Sequence, residues 1–328
     1  MQRIMTAICA VLFFTPLEAS IAESLSVYTH RQPALLEPIL DAYTKQSGVE
    51  FKIVYSPKGL VQRLQSEGSA TPADLVITVD INRVYELSKT DLLATLSSSK
   101  INKQVPAHLR DKNDKWTGLS LRARIAAVST QRVSQSEVSS LADFAEPRLK
   151  GRVCTRKGSH VYNRALLASI IANDGDAAAR KWAKGLVKNL ARKPQGNDRA
   201  QAKAIYSGEC DVALMNTYYY GKMKFNNKNP EQKNWANSLS LVFLDQKGRG
   251  QHVNISAAAV LKASKKQAAA VEFIEWLTSP EAQLLYTKVN YEYPVNPKVN
   301  PSKEVASWGR FKIDEVSLTD IAKNTPLA

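Results

Sequence analysis

The chain alternates between short apolar runs and longer amphipathic ones. Residues 25–28, 49–55 and 74–79 are short and apolar, as buried parallel strands are, while 34–46, 57–67 and 82–88 read as helices. Gly48, Gly68 and Pro72 punctuate the connections between them. Strict alternation of this kind predicts a doubly wound parallel sheet with ligands in the crevice beyond the strand C-termini. Residues 117–128 then form a long strand-like run with polar residues at alternate positions, which reads as a crossover into a second set of units. That set comprises a strand at 151–155, helices at 161–172, 177–190 and 199–207, and a strand at 211–215. A second apolar crossover at 251–261 returns the chain for helices 265–278 and 280–288. Two crossings predict a hinge, and no internal repeat or heptad run points to a solenoid or scaffold.

Residues 1–22 have the parts of a secretory signal. Gln2-Arg3 is the charged start, residues 4–14 are almost wholly apolar, and Ser20-Ile21-Ala22 offers small residues for cleavage. The apolar run is shorter than the ~20 residues a membrane span needs, so an exported chain beginning near Glu23 is expected. About 306 residues then remain, enough for two domains. The formal charge of +15 suits an anionic ligand or an acidic membrane face, or is simply a solvated basic surface. Lys and Arg are scattered among acids with no zinc-finger or RNA-binding signature, which argues against nucleic acid. Cys9 leaves with the signal, so Cys154 and Cys210 predict one disulfide in an oxidising compartment, with two buried free thiols as the alternative. The strand-linked nucleophile, zinc-protease and phosphate-loop motifs are absent, which leaves little support for an enzyme.

The candidate chemistry is phenolic. Tyr218, Tyr219 and Tyr220 lie in the segment 216–221 that follows the strand at 211–215 directly, and at a strand-to-helix turn adjacent side chains diverge by only ~100°, so Tyr218 and Tyr219 can share a ligand. Tyr162 holds the corresponding place after the strand at 151–155. A disulfide between Cys154 and Cys210 would tie these two strands together beneath the turns. Phenol stays protonated near neutral pH, but a trivalent hard cation stabilises phenolate directly and prefers oxygen donors. Aromatic packing, or stacking on a sugar or peptide, reads the triplet equally well. Three phenolates leave an octahedral shell incomplete. Arg122 on the first crossover is the best placed residue to hold an anion such as carbonate, helped by amides at 159–161, with Arg124 of the same strand parity the alternative. A salt bridge is the commoner role for either arginine.

These residues resemble the ferric-ion-binding periplasmic proteins of bacterial iron ABC transporters. The similarity runs from Val27-Tyr28-Thr29-His30-Arg31-Gln32-Pro33 through Pro72–Asp80 and Gly118–Arg124 to His160-Val161-Tyr162-Asn163 and Asn216-Thr217-Tyr218-Tyr219. It implies an α/β, two-lobed periplasmic-binding-protein fold (type II), with two doubly wound domains joined by a crossover-strand hinge. Residues 23–122 and 246–296 would form the first lobe, and 123–245 and 297–328 the second. It further implies that Tyr162, Tyr218 and Tyr219 bind Fe(III), that Arg122 holds a synergistic carbonate or similar anion, and that the protein works in the periplasm as a monomer serving an inner-membrane permease. Some members of that family add a His or Tyr after the first strand and a Glu after the third. This chain has Gln32, Pro33 and Val79 there, which resembles the branch using three tyrosines and carbonate. His30, Arg31, Gln32 and Asp80 lie near enough in sequence to donate hydrogen bonds or to serve only as loop residues.

Overall fold

In the computed structural model, which describes residues 24–328, the first apolar runs become β1 (Ser24–Thr29), β2 (Glu50–Tyr55) and β3 (Leu75–Thr78). The expected signal, residues 1–22, lies outside the described residues. Between β1 and β2 runs α1 (Pro33–Ser47), which opens on a proline, where a missing N–H costs nothing, and stops at Gly48 in the left-handed conformation with φ 76°. The next helix, α2 (Leu60–Glu67), starts three residues later than predicted because Gly59 turns left-handed at φ 70° and keeps Pro57 and Lys58 outside it. Asp80 caps α3 (Ile81–Ser88) by accepting the N–H of Asn82. A short α4 (Ser99–Gln104) then leads to β4 (Thr117–Ser129), which is buried along its whole length.

The second series is β5 (Val153–Cys154), α5 (Val161–Asp174), α6 (Asp176–Lys188), α7 (Asp198–Tyr206), β6 (Val212–Asn216), α8 (Thr217–Lys224), α9 (Glu231–Asn237) and β7 (Leu239–Val242). The return strand is β8 (Val253–Val260), followed by α10 (Gln267–Leu277), α11 (Pro280–Asn290), α12 (Lys303–Ser307) and α13 (Leu318–Asn324). The predicted strand at 151–155 shrinks to two residues, because only Val153 and Cys154 pair with β6 before the chain leaves for α5.

The sheet order is β2-β1-β3-β8-β4-β6-β5, with β7 also on β4. β1, β2 and β3 are parallel, and β8 joins β3 antiparallel. Along β4 the partner changes: residues up to Ala123 pair with β8, while Arg124–Val128 pair with β6. One strand therefore belongs to both halves of a curled sheet, which is the architecture of a two-lobed type II binding fold. Side-chain alternation beyond the switch divides the apolar core. Ile125 and Ala127 join the large cluster of Leu25, Val27, Leu75 and Ile77, whereas Ala126 and Val128 join a smaller one with Phe144, Leu166 and Leu214. Cys154 and Cys210 are disulfide-bonded, linking β5 to the segment entering β6.

Candidate metal and anion site

Two strand-to-helix turns supply the tyrosines. After β5, His160 caps α5 by accepting the N–H of Tyr162 at its Nδ1 (3.2 Å), which sets Tyr162 in the first turn of the helix. After β6 the chain enters α8 without a break, so Tyr218 and Tyr219 fall in its first turn. Parallel pairing of β5 with β6 brings these turns side by side, and the hydroxyls of Tyr162 and Tyr218 come within 3.2 Å. The rings of Tyr218 and Tyr219 stack with centroids 4.3 Å apart. Tyr220 points elsewhere, edge-on to Trp308 at 5.6 Å.

Tyr162, Tyr218 and Tyr219 line a cleft of about 320 Å³, together with Arg122, Arg199, Lys222, His30, Gln32, Tyr55, Val79 and Arg83. Burial, and then the neighbouring Tyr162 and Tyr219, hold the Tyr218 phenol well above its ordinary value of 10.0. Tyr219 is raised for the same first reason, with Tyr162 and Asp198 adding to it. Each phenol of this pair is therefore neutral until something stronger than a proton takes its oxygen. Burial and Arg83 push His30 down to about 3, and burial and Arg156 push His160 down to about 4, so both imidazoles are neutral near pH 7. Among the described residues no group of three His, Cys, Asp or Glu side chains is placed to hold a metal ion, which leaves the tyrosines as the candidate donors.

Arg122 and Arg124, alike in sequence, part company in the fold. Arg124 lies opposite Asn216 and is fully engaged, bonding Asn163 Oδ1 (2.7 Å), Asn216 Oδ1 (3.1 Å), Asp198 Oδ2 (3.3 Å) and the carbonyl of Leu214 (3.4 Å). Arg122 reaches only Ser256 Oγ at 3.5 Å and stands 3.9 Å from Asp80, leaving its buried Nε and Nη2 without acceptors. Buried donors of a guanidinium are costly to leave unpaired, so these two N–H groups fit an anion in the cleft. Asp80 is occupied elsewhere: it accepts from Asn82 and from Asn254 Nδ2 (2.9 Å), and burial raises its carboxyl despite the charge of Arg122. Arg31, expected either to donate a hydrogen bond in the cleft or to serve as a loop residue, is instead committed to a buried pair with Glu292. Sequence reasoning missed Glu292, Asn163 and Asp198, since nothing local separates a buried acid or amide from a solvated one. The Asn197-Asp198 pair signals only a helix start, and Asn197 does cap α7.

A profile of bacterial extracellular solute-binding proteins matches residues 39–313. The chain belongs to that family. Within it, the chain is 37% identical to iron uptake protein A1 of Synechocystis over 297 residues, covering 90% of this chain and 82% of that protein. Among solved structures, ferric iron-binding protein A of Mannheimia haemolytica, in an open conformation, superposes with a TM-score of 0.87 at 43% identity, covering 93% of this chain and 96% of that one. A Trichodesmium protein in complex with iron and citrate has the same TM-score at 37% identity, covering 92% and 96%. The resemblance and the fold read from the residues are thus met by the family's own members.

Proposed function

We propose that this protein is the substrate-binding component of a ferric-iron ABC transporter, exported to the periplasm, where it captures Fe(III) and hands it to a membrane permease. The observation that carries the reading is the convergence of Tyr162 and Tyr218 hydroxyls at 3.2 Å, with Tyr219 stacked alongside, at the wall of one cleft. Tyr162, Tyr218 and Tyr219 would give three phenolates, and Arg122 would hold the synergistic anion through Nε and Nη2, which have no hydrogen-bond acceptor. Residues 23–122 with 246–296 would close on 123–245 with 297–328, burying the loaded site as two-lobed receptors do. The protein acts as a monomer and is not an enzyme on this reading.

Titration of the iron-free protein with a ferric salt in bicarbonate should develop a red-orange phenolate charge-transfer band, and Tyr218→Phe should weaken or abolish it. A featureless visible spectrum with wild-type protein would sink the reading. Chelated iron is a second reading, favoured by Arg83, Arg199 and Lys222 on the cleft wall in addition to Arg122. Repeating the titration with citrate in place of bicarbonate separates the two. Tighter binding with citrate assigns the chelate, and tighter binding with bicarbonate assigns carbonate.

A further inference from the structure

Three donors carried on two separate turns can share one ion only if those turns keep a fixed spacing. Asp198, the first residue of α7 and wholly buried, is bonded to both and also to Arg124, which itself reaches Asn163 and Asn216. Its Oδ1 accepts from Arg156 Nη1 at 3.0 Å. Its Oδ2 accepts from Arg124 Nη1 at 3.3 Å and from the backbone N–H of Asn216 at 2.9 Å. Each of these partners leads to a tyrosine. The Arg156 guanidinium lies 5.0 Å from the centre of the Tyr162 ring. Arg124 bonds Asn163, the residue after Tyr162. Asn216 is the N-cap of α8, two residues ahead of Tyr218. One carboxylate thus gathers two guanidinium groups and a helix-start amide, all by charge-assisted bonds out of reach of water.

We propose that Asp198 is the positioning residue of the metal centre, fixing the Tyr162 turn against the Tyr218-Tyr219 turn and so the fit of three phenolates around one ion. The inference rests on the tyrosine reading given above. Sites of this kind need their donors held within about 0.5 Å of the working geometry, which loose turns do not achieve. A merely structural role for Asp198 predicts a different outcome: lower stability, with an unaltered metal centre in the molecules that stay folded.

Asp198→Asn preserves size and removes the charge. In folded protein, judged by far-UV circular dichroism, ferric affinity measured by competition with citrate should fall at least tenfold, and the charge-transfer band per bound iron should shift and weaken. Asp211→Asn is the comparison, because the Asp211 carboxylate pairs with Arg132 and Arg152 in the same half of the sheet and bonds neither tyrosine-bearing turn. That variant should keep the wild-type band. A folded Asp198→Asn protein with wild-type band and affinity overturns the proposal. Should that variant not fold, Asp198→Glu takes its place, since it keeps the charge but displaces the carboxylate by one methylene and removes no group that contacts a tyrosine. An altered band then supports the proposal and an unaltered one overturns it. A wild-type protein with no band would instead remove the tyrosine reading, and this inference with it.

Discussion

Arg31 and Glu292 are 261 residues apart in sequence yet form a buried ion pair. Arg31 Nη2 donates to Glu292 Oε2 at 2.6 Å and Oε1 at 2.8 Å, Nη1 to Oε1 at 3.3 Å, and the two side chains are only 2% and 6% exposed. Ser256 of β8 accepts from Arg31 (2.8 Å) and Ser120 of β4 donates to Glu292, so the loop after β1 is tied to both crossover strands. Glu292→Leu leaves the guanidinium in the interior with Ser256 and the Tyr286 ring, 5.8 Å away, as its remaining partners. Breaking a buried pair from one side costs about 3–5 kcal/mol. Arg31→Met/Glu292→Leu together leave no uncompensated charge, and that double variant is expected within about 2 kcal/mol of wild type. Urea unfolding at matched slopes measures both. A Glu292→Leu loss under about 1 kcal/mol, the range of exposed pairs, would refute the claim that burial sets the cost.

Replacing Cys154 and Cys210 together by Ala opens a loop of 56 residues, and loop-closure entropy puts the loss at about 4 kcal/mol. An unmoved urea midpoint under non-reducing conditions would contradict it. At Gly221 a Cβ would meet the Tyr291 ring at 2.5 Å, so Gly221→Ala must displace either α8 or the Tyr291 side chain. It should cost about 1–3 kcal/mol and loosen ferric binding with it; wild-type stability and affinity would show that the contact yields freely. Burial and Arg124 push His252 down to about 3 from 6.5, so between those values the unfolded chain binds a proton that the fold does not. Stability therefore falls as pH drops through that window, by up to about 1.4 kcal/mol per pH unit from this group. His252→Asn should flatten the difference between urea midpoints at about pH 7 and pH 4.5, and an equal difference in both proteins would exclude His252 as a source.

What could be read from the sequence divides along a physical line. The crossovers β4 and β8 were legible because long apolar runs have few other places to go, and both turns bearing tyrosines were legible because each follows a strand directly. Elements whose signal is weak escaped: β7 is four residues with a half-covered face, and α9 is seven residues in a polar stretch. Strand parity alone does not separate Arg122, the preferred anion holder, from Arg124, since i and i+2 share a face. Register tells them apart, because Arg124 lies opposite Asn216 in one half of the sheet and Arg122 opposite Asn254 in the other. Likewise the contact between Tyr162 and Tyr218, 56 residues apart, depends on β5 and β6 being neighbours, which no local spacing encodes.

On the tyrosine reading proposed above, the same charges that would make the cleft suit an anion also account for selection of a ferric ion. A site of carboxylates carries its negative charge before the metal arrives and admits any hard cation of suitable size. Here Tyr218 and Tyr219 are held above their ordinary pKa by burial, so the empty site offers neutral phenols. Arg83, Arg122, Arg199 and Lys222 face the same space, where Glu292, the one acid on the wall among the described residues, is already paired with Arg31. A divalent ion entering this cleft meets repulsion and must also displace protons from phenols harder to ionise than in water, for a smaller electrostatic return. A trivalent ion gains more from each phenolate it creates, and three phenolates cancel its charge. The arginines and the lysine then remain to be balanced, so an anion entering with the metal removes the residual repulsion. On this account selectivity lies in the proton each phenol must give up and in the cationic wall that discourages an unaccompanied cation, more than in the size of the cavity.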